Sequence, residues 1–288
     1  MKLALGTAQF GLAYGVANEL GRVGIEEAGQ ILAESASRGV DMLDTAIAYG
    51  DSERMLGEIG VKNWRIVTKL PAVPDDCTDV TRWVDAEVKG SLVRLGVERL
   101  YAVLLHRPDQ LHDGHGKQLH DALQGLKAQG VTEKIGVTIY SPEELECLFD
   151  CMDFDLVQAP VSIVDRRLVD SGWARRLQRR GVELHARSVF LQGLLLLLPA
   201  RRPKKFQRWH VVWAEWDRWL QESGLTPLEA CLRYTLSIDE VDKVVVGVDC
   251  IEHLRGILAV AKGLLPSLPE WTGPVDVDLL NPVRWDSL

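Results

Sequence analysis

Cysteine is scarce in this chain and poorly placed for structural use. Cys77, Cys147, Cys151, Cys231 and Cys250 contain no CxxC pair and leave an odd one over, which argues against a zinc ribbon and against a disulfide framework. Cys147 and Cys151, four apart on an expected helix, have no further metal ligands nearby and read as small buried thiols. Long apolar runs are missing as well. The leucine run Leu194 to Leu198, like the others, is far too short to span a bilayer, and the opening residues lack the charged segment, apolar stretch and cleavage site of a signal peptide. Positive charge is in deficit: 33 Lys and Arg against 41 Asp and Glu give a net charge of −8. A surface built to displace the counterions of nucleic acid is therefore not expected. No GxGxxG occurs, so the glycine-rich first turn of a doubly wound dinucleotide fold is absent. What remains is a cytoplasmic globular protein with neither nucleic acid nor membrane as partner, its oligomeric state left open.

What is present is alternation. Eight nearly continuous apolar runs, of the kind a strand covered on both faces needs, fall at Leu3–Leu5, Val40–Asp44, Arg65–Lys69, Leu100–Leu105, Lys134–Ile139, Asp155–Ala159, Val182–Ala186 and Lys243–Gly247. Between them lie helical patterns: Ile25, Ala28, Leu32 and Ala36 recur at helical spacing and Gly39 follows as a stop, while Ser141-Pro142-Glu143-Glu144 reads as a serine-capped helix start. Eight such βα units in 288 residues predict one (β/α)₈ TIM barrel domain over 1–288. The interval from Phe190 to Asp242 is too long for a simple crossover and leaves room for an extra helix carrying Trp209, Trp213 and Trp216 on one face, expected to pack on the barrel. A tail with Pro266, Pro269, Pro274 and Pro282 resists helix formation, and Trp271 and Trp285 offer anchors by which it could close one side of a substrate pocket or simply pack outside.

In a barrel of this kind, polar residues at the C-terminal strand ends face the active-site mouth. Asp44 ends the second run, Tyr49 follows in the loop, Lys69 ends the third and His106 follows the fourth. Singly, each is a common surface or capping residue. An acid, a phenol, an amine and an imidazole at three successive strand ends are harder to attribute to packing, because burying unpaired charges costs several kcal/mol, roughly.

These residues sit in Asp44-Thr45-Ala46-(x)₂-Tyr49-Gly50-(x)-Ser52-Glu53, Thr68-Lys69 and Leu105-His106-Arg107-Pro108, a set that resembles the catalytic signature of the aldo-keto reductases. Leu5-Gly6-Thr7, Ile135-Gly136-Val137-Thr138, Val157-Gln158, Gln192-Gly193-Leu194-Leu195 and Val244-Val245-Val246-Gly247 extend the likeness over most of the chain. The resemblance implies reduction of an aldehyde, ketone or sugar-like carbonyl by NAD(P)H. Tyr49 would donate the proton, Lys69 would stabilise the phenolate left behind, Asp44 would hold Lys69, and His106 would orient the carbonyl. It also implies cofactor binding around Gly6, Thr7, Thr138, Gln158, Ser188, Gln192, Gly193, Gly247 and Asp249, with Gln158 on the nicotinamide carboxamide. For the glycines, plain turn formation is the competing account. Gln9, Phe10, Tyr14 and Arg107 are the expected substrate-pocket residues.

Two departures from the family pattern stand out. Thr138-Ile139 replaces the common Ser-Asn after strand five, so one carboxamide contact is lost. Asp249 stands where a basic residue commonly meets the 2′-phosphate, which favours NADH, although Arg255 or the basic loop Arg201–Lys205 could still neutralise a phosphate. A capping role for Asp249 on the next helix is the plain alternative. The His112-Asp113-Gly114-His115 stretch reads as a polar loop and no metal is expected. Two other functions compete: a barrel lyase or isomerase using Lys69, and a cofactor-binding subunit without turnover.

Overall fold

The computed structural model describes every residue except 150, 151 and 272, so Cys151 lies outside the described residues. Its strands are β1 Leu3–Gly6, β2 Met42–Asp44, β3 Arg65–Leu70, β4 Leu100–Leu105, β5 Thr132–Thr138, β6 Leu156–Pro160, β7 Glu183–Arg187 and β8 Lys243–Gly247. All pair in parallel, in sequence order, and β8 closes onto β1. This is the expected (β/α)₈ barrel. Each strand end agrees with its apolar run to within two residues, because a strand buried on both faces carries its signal in composition.

Alternation along each strand then sorts the side chains. Leu3, Leu5, Leu43, Ile66, Val103, Val137, Val157, Leu184 and Val246 join the large core shared with the helices, while Ala4, Met42, Val67, Leu104, Leu156 and Val245 pack in a separate cluster. That second cluster fills the barrel centre as a solid plug. Polar groups are left at the two ends of the barrel.

The β7–β8 connection does contain an extra helix, His210–Ser223. Trp213 and Trp216 lie on it, but Trp209 ends the preceding 3-10 segment. All three indoles are buried in the core, and the packing reading holds. The tail folds back on this connection: Trp285 sits edge-on to Phe206 at 4.7 Å, and its carbonyl accepts from Lys205 Nζ at 2.8 Å. Ser141 does not cap the helix after β5. The Glu144 carboxylate accepts from the Tyr140 and Ser141 N–H groups instead, at 2.8 and 2.7 Å. Cys147, expected buried, is exposed. No helix among the described residues is long and apolar enough to cross a membrane.

Candidate active site

The parallel register sets the eight strand ends side by side. Gly6 aligns with both Asp44 and Gly247, and Thr138 aligns with Gln158. Gly6, Asp44, Lys69, His106, Thr138, Gln158, Arg187 and Gly247, one from each strand end, all border a single cavity of about 630 Å³. The four catalytic candidates are therefore brought together.

Lys69 is almost fully buried, with Nζ 2.7 Å from Asp44 Oδ1 and 2.8 Å from the Thr45 carbonyl. Burial alone would lower its pKa, but the Asp44 carboxylate and the Tyr49 phenol overcome this and raise it, so the group is a held ammonium. The Tyr49 ring lies 5.0 Å from that ammonium, and its centroid is 6.2 Å from the His106 ring. Burial, with the positive charges of Lys69 and Arg187, depresses His106 to a pKa of about 4. At neutral pH the imidazole is uncharged and can donate one hydrogen bond.

Behind this group lies a network that holds the motif residues in place. The Ser52 hydroxyl bonds the Thr7 carbonyl and hydroxyl, and the Thr7 hydroxyl donates to the Asp44 carbonyl at 3.0 Å. Glu53, also buried, accepts from Thr68, Ser91 and Arg94. Thr7 lines the cavity, but its hydroxyl is already used in joining β1 to β2.

The remaining expectations divide. Gln9, Tyr14, Ser188, Gln192, Gly193 and Asp249 line the cavity. Phe10 does not: the helical turn Ala8–Gly11 drives its ring into the core, where it is fully buried. Arg107 is also misplaced, pointing into solvent and forked onto Asp109 at 2.8 and 3.1 Å. Gln158 donates its amide N–H to Asp44 Oδ2 at 2.6 Å, leaving its side-chain oxygen with no donor among the described residues. Ile139, the departure after β5, is fully buried and contributes nothing polar from its side chain. Asp249 does not cap the helix Ile251–Val260, because the Ile251 N–H goes to Glu27 at 2.7 Å. Its carboxylate accepts from Asn18 Nδ2 at 3.0 Å, and burial raises its pKa. Four of the five proposed phosphate-neutralising cations are engaged elsewhere, Lys204 being the one with no such partner among the described residues. Arg255 pairs with Glu34, Arg201 with Glu19, Arg202 with Asp217, and Lys205 with the tail. The His112–His115 stretch is a turn in which Asp113 accepts from the His115 N–H.

Several cavity residues escaped the sequence reading, among them Arg187, Tyr140, Asn18 and His253. Arg187 has a signal that was missed by one position: it follows Ala186, the expected end of the seventh strand. The turn after it could not be read. Ser188, Leu191 and Gln192 take φ of 60°, 49° and 53° without being glycine, a conformation L residues rarely adopt unless surrounding structure enforces it. Here the Gln192 carbonyl accepts from the Val16 N–H, and Gly193, at φ 85°, sits where any Cβ would fall 2.6 Å from that of Ala17. Turn geometry thus accounts for Gly193, and the same turn leaves the N–H groups of Val189 and Phe190 without an acceptor among the described residues.

The Aldo/keto reductase family model matches residues 2–267. No curated protein shows significant sequence similarity. Among solved structures, the aldo-keto reductase AKR11C1 from Bacillus halodurans in its holo form is similar with a TM-score of 0.73 and 21% identity, covering 92% of this chain and 88% of that one. PA4992 from Pseudomonas aeruginosa is similar with a TM-score of 0.67 and 22% identity over 90% and 89%. These structural likenesses speak for the fold, whereas the family match runs through every segment that builds the cavity ring: the chain belongs to the aldo/keto reductase family.

Proposed function

We propose that the protein reduces an aldehyde, ketone or sugar-like carbonyl with a nicotinamide cofactor, that Tyr49 is the proton donor, and that NADH serves at least as well as NADPH. The observation that carries the reading is the Tyr49 phenol beside a buried ammonium, facing the same cavity as a neutral imidazole. A carbonyl that receives hydride gathers negative charge on oxygen. Tyr49 gives that oxygen its proton, the Lys69 ammonium stabilises the phenolate that remains, and Asp44 keeps Lys69 in register. His106, uncharged, donates to the same oxygen and sets its direction. Lys69 is unsuited to the competing lyase reading: its ammonium bonds Asp44 and Thr45 and is held protonated, whereas a Schiff-base lysine must be a free amine.

The cavity fits a nicotinamide dinucleotide. Gln158 presents an unpaired acceptor for a carboxamide N–H, and the Val189 and Phe190 N–H groups suit phosphate oxygens. The cofactor, when bound, supplies the hydride. Around Asp249 the cavity offers the carboxylates of Asp249 and Glu252 and the imidazole of His253, with no Lys or Arg in that stretch. Such a site accepts hydrogen bonds from a ribose 2′-hydroxyl and repels a 2′-phosphate.

The test is catalytic efficiency with NADH and NADPH on a panel of aldehydes and ketones, for the wild type and Asp249→Arg. NADH should match or exceed NADPH, and the substitution should move the ratio toward NADPH by roughly tenfold. An unchanged ratio removes Asp249 from cofactor choice, and no turnover with either cofactor on any carbonyl defeats the reductase reading.

A further inference from the structure

The ring of strand ends carries one carboxylate and two permanent cations. Asp44 is consumed by Lys69, and His106 is neutral, so Arg187 is a surplus positive charge. It stands out in a chain with eight more acidic than basic residues: among the described residues, no carboxylate pairs with Arg187. Its anchors are uncharged. Nη2 donates to the Ile139 carbonyl at 2.9 Å and Nη1 to the Ser188 hydroxyl at 3.1 Å, while the guanidinium carbon lies 4.4 Å from the centre of the Tyr140 ring. A guanidinium has five N–H donors, so three are left after these two bonds. The half-buried group borders the cavity, and its charge reaches both His106 and Tyr14. It therefore lies at the reacting end, apart from the carboxylates of Asp249 and Glu252. A fixed, stacked, half-desolvated fork without a counterion is an incomplete ion pair, and planar bidentate recognition of a carboxylate is what that geometry provides.

We propose that Arg187 selects carbonyl substrates that carry a carboxylate, pairing with it while the carbonyl oxygen faces Tyr49 and His106. This rests on the reductase reading for what happens to the carbonyl, but the anion site itself can be measured without turnover. Ile139 thereby gains a role that its side chain denies it: the residue after β5 contributes a carbonyl that holds Arg187 instead of an amide side chain. Tyr140 supplies the face on which the guanidinium rests.

The experiment compares 4-carboxybenzaldehyde with 4-carbamoylbenzaldehyde, which differ in charge but hardly in shape. Calorimetric titration into protein saturated with NAD⁺, which cannot reduce either, should show the carboxylate binding roughly 10- to 100-fold more tightly. In Arg187→Gln that ratio should collapse toward unity, and Arg187→Lys should restore only part of it, since an ammonium keeps the charge without the fork. Equal binding of the two probes to the wild type overturns the proposal. So does an Arg187→Gln variant whose NADH affinity falls as far as its carboxylate affinity, because the arginine then serves the cofactor. The two readings fail separately: preference for the carboxylate with no reduction of any carbonyl by NADH or NADPH leaves the anion site and removes the reductase, while equal reduction of both probes leaves the reductase and removes the anion site.

Discussion

The two ends of the barrel hold similar residues to opposite effect. At the N-terminal end Tyr101 is surrounded by Arg65, Lys134 and Glu183. Its hydroxyl donates to both Glu183 oxygens at 2.7 and 2.8 Å, Arg65 stacks on its ring at 3.9 Å, and Lys134 pairs with Glu183 at 2.7 Å. At the C-terminal end Tyr49 is surrounded by Lys69, Asp44 and His106. Each end joins a phenol, a lysine and a carboxylate, but Glu183 holds both the phenol and the lysine at one end, whereas Asp44 holds only the lysine at the other. Burial and the Glu183 carboxylate push the Tyr101 phenol well above its ordinary pKa, so it keeps its proton. Among the described residues no carboxylate bonds the Tyr49 hydroxyl, and the Lys69 ammonium lies 5.0 Å from the centre of its ring. Whether the carboxylate also takes the phenol is what separates Tyr101, which braces the barrel, from Tyr49, the proton donor proposed above.

The sharpest way to break the contrast is to remove each hydroxyl. Tyr49→Phe should lower kcat for carbonyl reduction by about 10³-fold with NADH affinity nearly unchanged, since it deletes a proton donor and few ground-state contacts. Tyr101→Phe should leave kcat alone and lower unfolding free energy by about 2 kcal/mol, the worth of a hydrogen bond to a charged group. Steady-state kinetics and denaturant unfolding on the two variants give the answer. A Tyr49→Phe enzyme with near wild-type turnover, or a Tyr101→Phe enzyme that loses it, dissolves the distinction.

The lysines come next in size. Lys69→Met strips the phenolate of its stabilising charge and leaves the buried Asp44 without its cation, so kcat should fall by roughly 10²-fold or more, with a cost in thermal stability. Lys134→Met leaves Glu183 its Tyr101 bonds and the catalytic end intact. It should be catalytically silent. If Lys69→Met works with an unaltered pH profile, the Tyr49–Lys69 coupling is absent.

The C-terminal half of this comparison is legible in the sequence; the Tyr101 cluster at the other end is not, and the parts that escape have physical reasons. The strands were readable because both faces of each are buried, so their composition is nearly uniform. Asp44, Lys69 and His106 could be found because one rule, polar residues at C-terminal strand ends, applies to each. Arg187 obeys the same rule but escapes it in the sequence, because the apolar run stops at Ala186, one residue before the strand does. Phe10 and Arg107 failed for another reason. Both sit in the first turn after a strand, where side-chain direction depends on local backbone dihedrals that residue type does not encode; Phe10 turned inward and Arg107 outward. The left-handed backbone at Ser188, Leu191 and Gln192 left no trace at all, since only glycine or asparagine advertises that conformation.

The smallest expected effect concerns the acid side of the stability curve, where the two ends should let go at different pH. His106 is depressed from 6.5 to about 4 by burial and by neighbouring cations. Between those values the unfolded chain binds a proton that the folded one refuses, so stability contributed at the C-terminal end is lost as pH falls from about 6.5 to 4. Glu183 behaves differently. Burial opposes its charge, but His185, Lys134 and Tyr101 together bring it from 4.5 to about 2. Its contribution is present above the unfolded value of 4.5 and is lost as pH falls through the interval down to about 2. Melting temperature measured from pH 7 to 3 should therefore fall through two successive intervals. His106→Gln, which cannot titrate, should flatten the upper interval and leave the lower one. Glu183→Gln should flatten the lower interval and cost some stability at neutral pH, where Lys134 loses its partner. Should His106→Gln leave the slope between pH 6.5 and 4 unaltered, the imidazole is not held neutral by its surroundings, and its assignment as an uncharged donor to the carbonyl fails with it.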